Sequence, residues 1–229
     1  MSWVGSSANA HRTDLIRCLF STRLIDILTK IDNLSDCHPM SDTKQQNVLD
    51  AAQAQFLRYG FRRVTMADIA SGANISRPAL YLLFDNKEAI FNGVYARYVD
   101  QALSEIEGEI ENLAGIAAKL AFAAEVWIVR PYELLHDTPE GRELTECSYE
   151  FTAELVDASY RRFEAIIEAA LTQSSSGSNN TAMTPVALAQ VFALSLRGIK
   201  AGAQNVEHLR KLIADLITVT ASTLEDAHS

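Results

Sequence analysis

Apolar residues recur at helical spacing along most of the chain, and no stretch alternates strictly enough to predict a strand. Between Thr13 and Leu34, the positions Ile16, Leu19, Phe20, Leu24, Ile27, Leu28, Ile31 and Leu34 share one helical face. The polar stretch from Ser35 to Asp42 reads as a linker, with Pro39 barring continuation of a helix. From Thr43 onward, Val48, Leu49, Ala52, Phe56 and Leu57 make a second stripe that Gly60 ends. Two short helices follow. Thr65 caps the first, over Met66 to Ala73, and Ser76 caps the next, with Pro78 in its first turn. Asn86 then starts a longer helix through Ile90, Phe91, Val94, Tyr98, Leu103 and Ile106. Beyond it the pattern predicts a helix near Ile116 to Val129 that stops at Pro131, and a long one from Thr138 to about Gln173. A Ser- and Asn-rich loop from Ser174 to Thr181 precedes two last helices, Thr184 to Gly202 and Asn205 to Leu224. The fold class is all-α.

Composition narrows the class further. Only 5 Pro and 10 Gly in 229 residues, with 48% hydrophobic content, describe a helical globular chain rather than a disordered one. Arg17, Arg23, Asp26, Lys30 and Asp32 interrupt the apolar stretch from Leu15 to Leu34, so it does not span a bilayer, and it lacks the features of a secretory signal. Cys18, Cys37 and Cys147 form no CxxC pair and no zinc spacing, which fits reduced thiols in the cytoplasm. His136 has no companions at ligand spacing; no metal and no cofactor is expected. No GxSxG, HExxH or phosphate-cradling glycine loop is present, so the chain does not read as an enzyme.

The net charge of −9 argues against nucleic acid until its distribution is considered. Residues 41–90 carry +1, while residues 91–229 carry −10. That near-neutral segment contains the two short helices, and a turn of three or four residues between them makes a helix-turn-helix. Ala70 provides the small residue at the crossing, and Asn74 tolerates the positive φ of the turn. If Ile69, Ile75, Leu80 and Phe84 face inward, the helical period places Arg77, Pro78, Tyr81 and Leu82 outward. Arg77 suits a guanine edge or a phosphate, and Pro78 and Leu82 suit thymine methyls. Tyr81 suits a phosphate, as do the helix starts at Thr65 and Ser76 and the charge of Lys87. Arg62 and Arg63 read either as a solvated loop pair or as further backbone contacts.

Residues 44–94 resemble the DNA-binding domain of the TetR/AcrR family. The resemblance lies in Ala51-Ala52, Phe56, Tyr59-Gly60-Phe61, Thr65-Met66-Ala67-Asp68-Ile69-Ala70, Ala73-Asn74-Ile75-Ser76, Leu80-Tyr81, Phe84 and Lys87-Glu88-Ala89-Ile90-Phe91. It implies that the third helix enters the major groove of a palindromic double-stranded operator. Thr65, Ser76, Tyr81 and Lys87 would then touch phosphates, and Arg77, Pro78 and Leu82 would read bases. Leu83 departs from the family pattern, where His or Tyr is usual, and removes one polar phosphate contact.

The expected layout is an N-terminal extension over 1–40, a helix-turn-helix DNA-binding domain over 41–90, and a helical effector-binding and dimerisation domain over 91–229. The chain from Met40 resembles an ordinary family start, so translation is expected to begin there, the alternative being an amphipathic arm. The resemblance further implies a homodimeric repressor released by a small hydrophobic or aromatic effector. An activator, a regulator sensing oxidation through Cys147, and a helical protein-binding adaptor are the alternatives. Trp127, Tyr132, His136, Tyr149, Phe151 and Phe163 gather around Pro131 and the following helix, and are the expected effector pocket. In the last two helices, Phe192, Ser195, Ile199, Leu212 and Leu216 are the expected dimer interface, with Gly198 and Gly202 permitting close approach.

Overall fold

The structure is a computed structural model, and it describes residues 39–146, 149–174 and 183–225, with side chains at 39–42, 145–146 and 224–225 left aside. The amphipathic stripe of 13–34, Cys18, Cys37, Cys147 and residues 175–181 of the Ser/Asn-rich loop therefore lie outside the described residues. The described helices are α1 (Pro39–Tyr59), α2 (Met66–Gly72), α3 (Arg77–Tyr81), α4 (Lys87–Ile110), α5 (Ile116–Ala124), α6 (Arg130–Leu135), α7 (Pro139–Glu146), α8 (Ala153–Ser174), α9 (Pro185–Gly202) and α10 (Val206–Glu225). A π-helical turn, Glu125–Val129, joins α5 to α6, and a 3-10 turn, Glu150–Thr152, leads into α8. No strand occurs among the described residues, as the periodicity predicts.

Three elements differ from the pattern, each for an identifiable reason. Helix α1 starts at Pro39 rather than Thr43. Proline at a first helical position loses an N–H that has no intrahelical partner anyway. Pro131 does not stop the helix before it. The Arg130 N–H reaches back to the Glu125 carbonyl, and the wider turn accommodates a ring that would clash with the carbonyl four residues earlier. The stretch expected to be one helix from 138 to 173 is divided into α7, the 3-10 turn and α8. The division follows from tertiary packing, because Leu144, Tyr149 and Phe151 pack against the core built by α1 to α4.

That N-terminal core is small: Val48, Leu49, Ala52, Phe56, Phe61, Val64, Ile69, Ala70, Leu80 and Ile90 are buried together. A larger core joins α4, α5, the π turn, α8, α9 and α10 around Leu103, Ile106, Leu120, Phe163, Ile167, Phe192 and Leu196. Helix α4 contributes Ile90 to the first and Val99 to Ile110 to the second, so one rigid rod runs through both. Arg97 clamps α4 to α1 through Gln46 (3.1 Å), Asp50 (2.7 Å) and Gln53 (2.8 Å). Arg210 of α10 bonds Glu125 and Glu133, both at 2.7 Å, which ties the last helix to the π turn and α6.

Candidate nucleic-acid interface

Helix α2 is held at its start by a reciprocal capping box. The Asp68 amide donates to the Thr65 hydroxyl (3.2 Å), while the Thr65 amide and hydroxyl both donate to the Asp68 carboxylate (2.9 and 2.6 Å). These bonds, the side-chain one first, hold the Asp68 carboxyl below its ordinary value. Both Thr65 donors are thus engaged, and Thr65 acts in the free protein as a cap. The chain then turns at Asn74, whose φ of 55° is the positive value expected there. The Ile75 amide bonds the Ala70 carbonyl at 3.0 Å, closing the turn at the helix crossing. Ser76 caps α3 by accepting from the Ala79 amide at 3.3 Å.

The two faces of α3 divide as the period requires. Ile69, Ala70 and Leu80 are buried, and Ile75 and Phe84 pack on them half-buried. Arg77 and Pro78 are exposed, Tyr81 is 48% exposed and Leu82 is 87% exposed. Burying a leucine side chain gains about 1.5–3 kcal/mol, so an intramolecular role would not leave Leu82 in water. Arg77 makes no hydrogen bond or ion pair with any described residue, which leaves its five donors for an external acceptor. Leu83, at the departure from the family pattern, packs half-buried on the core.

Lys87, expected to meet phosphate, is also engaged within the protein. Its ammonium donates to the carbonyls of Phe61 (2.8 Å) and Val64 (2.9 Å) and lies 4.2 Å above the Phe61 ring. It buckles the start of α4 to the turn before α2, and one of its three N–H groups remains for another acceptor. That geometry is invisible in sequence, since the partners are backbone carbonyls more than twenty residues away.

The turn from Gly60 to Val64 also meets α7, which sequence reading missed. The Arg62 amide donates to the Glu143 carboxylate (3.0 Å), and Arg62 and Arg63 lie 3.8 and 3.9 Å from Glu143 and Glu140. Gly60 has φ 78°, and a Cβ there would strike the Glu143 carboxylate. Phe61 stands among Phe56, Phe91, Tyr149 and Phe151, with ring centroids 4.8 to 5.6 Å away. The Tyr149 hydroxyl donates to Glu143 at 3.2 Å. Aromatic content at 149–151 was legible, but its destination was not.

The six residues expected to line one effector pocket occupy three places. Trp127 and Phe163 stack in the larger core, 5.2 Å apart and 9° from parallel. Tyr132 stacks on His136, with centroids 4.3 Å apart, and its hydroxyl donates to the Ala203 carbonyl at 3.0 Å. Tyr149 and Phe151 belong to the N-terminal aromatic group, because the break before α8 carries them away from the others. The residues expected at the dimer interface differ in exposure within one chain. Phe192 is fully buried in the monomer core, and Ile199 and Leu216 pack partly against it. Ser195 and Leu212 are half-buried. The apolar face left open lies about one position around each helix: Val191, Leu194 (61% exposed), Gly198 and Gly202 on α9, and Val219 (64% exposed) on α10.

Comparisons with known proteins agree with this architecture. Residues 48–94 match the family described as bacterial regulatory proteins, tetR family. The protein named "Probable acrEF/envCD operon repressor" of Escherichia coli K12 is 39% identical over 51 residues, 22% of this chain and 23% of that protein. The first curated relatives are matched over only 35% and 23% of their length. Likeness of fold reaches further. A TetR-family transcriptional regulator of Mesorhizobium loti MAFF303099 aligns over 81% of this chain and 98% of its own, with TM-score 0.60 and 18% identity. FadR of Bacillus subtilis, solved with stearoyl-CoA, aligns over 78% and 98%, with TM-score 0.55 and 18% identity.

Proposed function

We propose that the chain, whose residues 48–94 match the tetR family of bacterial regulatory proteins, is a cytoplasmic, homodimeric TetR/AcrR-type repressor that binds a palindromic operator and releases it when a small molecule binds. The observation that carries DNA binding is the outer face of α3. An Arg77 with no partner among the described residues, an exposed Tyr81 and a nearly fully exposed Leu82 stand on and at the end of the helix that follows a helix-turn-helix crossing. Arg77, Pro78 and Leu82 read base edges, while Tyr81, Ser76 and the remaining N–H of Lys87 meet phosphates, joined by Thr65 when its hydroxyl turns from Asp68 to the DNA.

Dimerisation rests on the open apolar face of α9 and α10, where Gly198 and Gly202 leave room for close helix approach. A dimer sets two α3 helices about 34–36 Å apart on successive major grooves. The effector favours a dimer in which that spacing no longer fits, a shift between two populations. The contact of α7, Tyr149 and Phe151 with the turn at Phe61 and Arg62 is the relay between the two cores. Among the described residues no helix is long and apolar enough to cross a membrane, and no cluster of His, Cys, Asp or Glu could hold a metal ion.

A fluorescence anisotropy titration with DNA from upstream of the chain's own gene, repeated between 50 and 200 mM salt, tests the reading. Counterion release predicts affinity falling by roughly 10³-fold or more over that range for about six phosphate contacts. Salt-insensitive or absent binding overturns it.

A further inference from the structure

The turn between α1 and α2 is fixed at its backbone and loose at its side chains. The Gly60 amide bonds the Phe56 carbonyl at 2.9 Å. Lys87 and Glu143 grip the turn from two sides, one on its carbonyls and the other on the Arg62 amide. The guanidinium groups of Arg62 and Arg63 are held far less firmly. Their side chains are 76% and 78% exposed, and they stand 3.8 and 3.9 Å from Glu143 and Glu140, beyond hydrogen-bond distance. Arg97, Arg130, Arg162, Arg197 and Arg210 behave otherwise, each closing on a carboxylate at 2.6 to 3.1 Å.

Arg63 and Arg62 precede Thr65 by two and three residues. Their Cα atoms therefore lie within about 7 and 11 Å of the start of α2, a span that the long arginine side chain largely covers. A phosphate there offers each guanidinium two parallel hydrogen bonds, which the carboxylates of α7 do not make. We propose that Arg62 and Arg63 are two further phosphate-binding residues, and that Glu143 and Glu140 hold them in the free protein as internal stand-ins for phosphate. DNA takes the arginines from α7 on binding. The carboxylates oppose that exchange and lower affinity for every sequence alike, since neither arginine reads a base. Helix α7 thus sets how tightly the DNA backbone is held, while α3 sets which bases are read. The inference rests on the DNA-binding part of the proposed function and adds to it two contact residues and their internal competitor.

A double-mutant cycle tests it, read by anisotropy on an arbitrary duplex and on DNA from upstream of the chain's own gene across the same salt range. Arg62→Ala with Arg63→Ala removes two phosphate contacts and should flatten the slope of log affinity against log salt by about 1.8. Glu140→Gln with Glu143→Gln removes the two charges. Glutamine keeps one carbonyl oxygen to accept from the Arg62 amide and the Tyr149 hydroxyl, which both donate to Glu143 Oε1. The glutamine variant should bind both duplexes at least about threefold more tightly than the wild type, the scale of two exposed ion pairs. In the arginine-free protein the same two glutamines should change affinity by less than about 1.5-fold. An unchanged slope in the arginine variant, or no gain in the glutamine variant, overturns the proposal. So does an equal gain with and without the arginines, which would mean plain repulsion between α7 and DNA. Where these fail and the wild type still binds with salt-dependent affinity, the regulator stands and only the arginine contacts fall. A wild-type protein that binds neither duplex removes both.

Discussion

Arg77 and Lys87 are both cations of the helix-turn-helix, yet their surroundings give them different work. Arg77 is exposed on the outer face of α3 with no partner among the described residues, so its loss should be felt where bases are read. Arg77→Ala is expected to cost about 1–3 kcal/mol on a cognate operator and much less on scrambled DNA. Equal losses on both sequences would assign it to a phosphate instead. Lys87 is spent mostly on the fold, with two carbonyls and the Phe61 ring around its ammonium. Lys87→Ala should lower unfolding stability by about 2 kcal/mol, the scale of hydrogen bonds to a charged group. It should also weaken all DNA sites alike. Urea denaturation checks the first effect, and a variant as stable as the wild type would return Lys87 to the role of simple phosphate anchor.

At the scale of elements, α7 packs against the Gly60–Val64 turn of the N-terminal core. Its ion pairs at 3.8 and 3.9 Å involve largely exposed arginines, so they contribute little by themselves. The Glu143 carboxylate matters more as acceptor of the Arg62 amide and the Tyr149 hydroxyl. Glu143→Ala should therefore change global stability by less than about 1 kcal/mol. Local order should respond more. Hydrogen exchange at the Arg62 amide is expected to accelerate at least tenfold, while the Gly60 amide, bonded to the Phe56 carbonyl, keeps its protection. Unchanged exchange at Arg62 would show that α7 does not hold the turn in solution.

For the whole molecule, the open face of α9 and α10 sets the expected assembly. Leu194 and Val219 are large apolar side chains left in water by a fold that buries Phe192 and Ile217 beside them. Leu194→Arg should weaken dimerisation at least tenfold by placing a charge in an apolar contact. Phe192→Ala should instead unfold the monomer core, at a cost of about 3–5 kcal/mol. Sedimentation at several concentrations distinguishes the two, and a Leu194→Arg protein that dimerises like the wild type would move the interface elsewhere.

Within the Thr65–Phe84 segment, local chemistry was enough. A capping threonine, a turn residue tolerant of positive φ, a capping serine and a 3.6-residue period act over a few residues, so the inward Leu80 and the outward Tyr81 and Leu82 could be read directly. The helical class and the last two helices followed from the same short-range rules. Periodicity names an apolar face without saying what covers it, however, and there tertiary packing decided. It placed Phe192 in the core and Leu194 outside, and sent Tyr149 and Phe151 to Phe61 rather than to Trp127. It turned Lys87 back onto carbonyls. Each of these depends on which distant groups arrive at 3 to 6 Å, and that distance is set by the assembled helices rather than by neighbours in the chain.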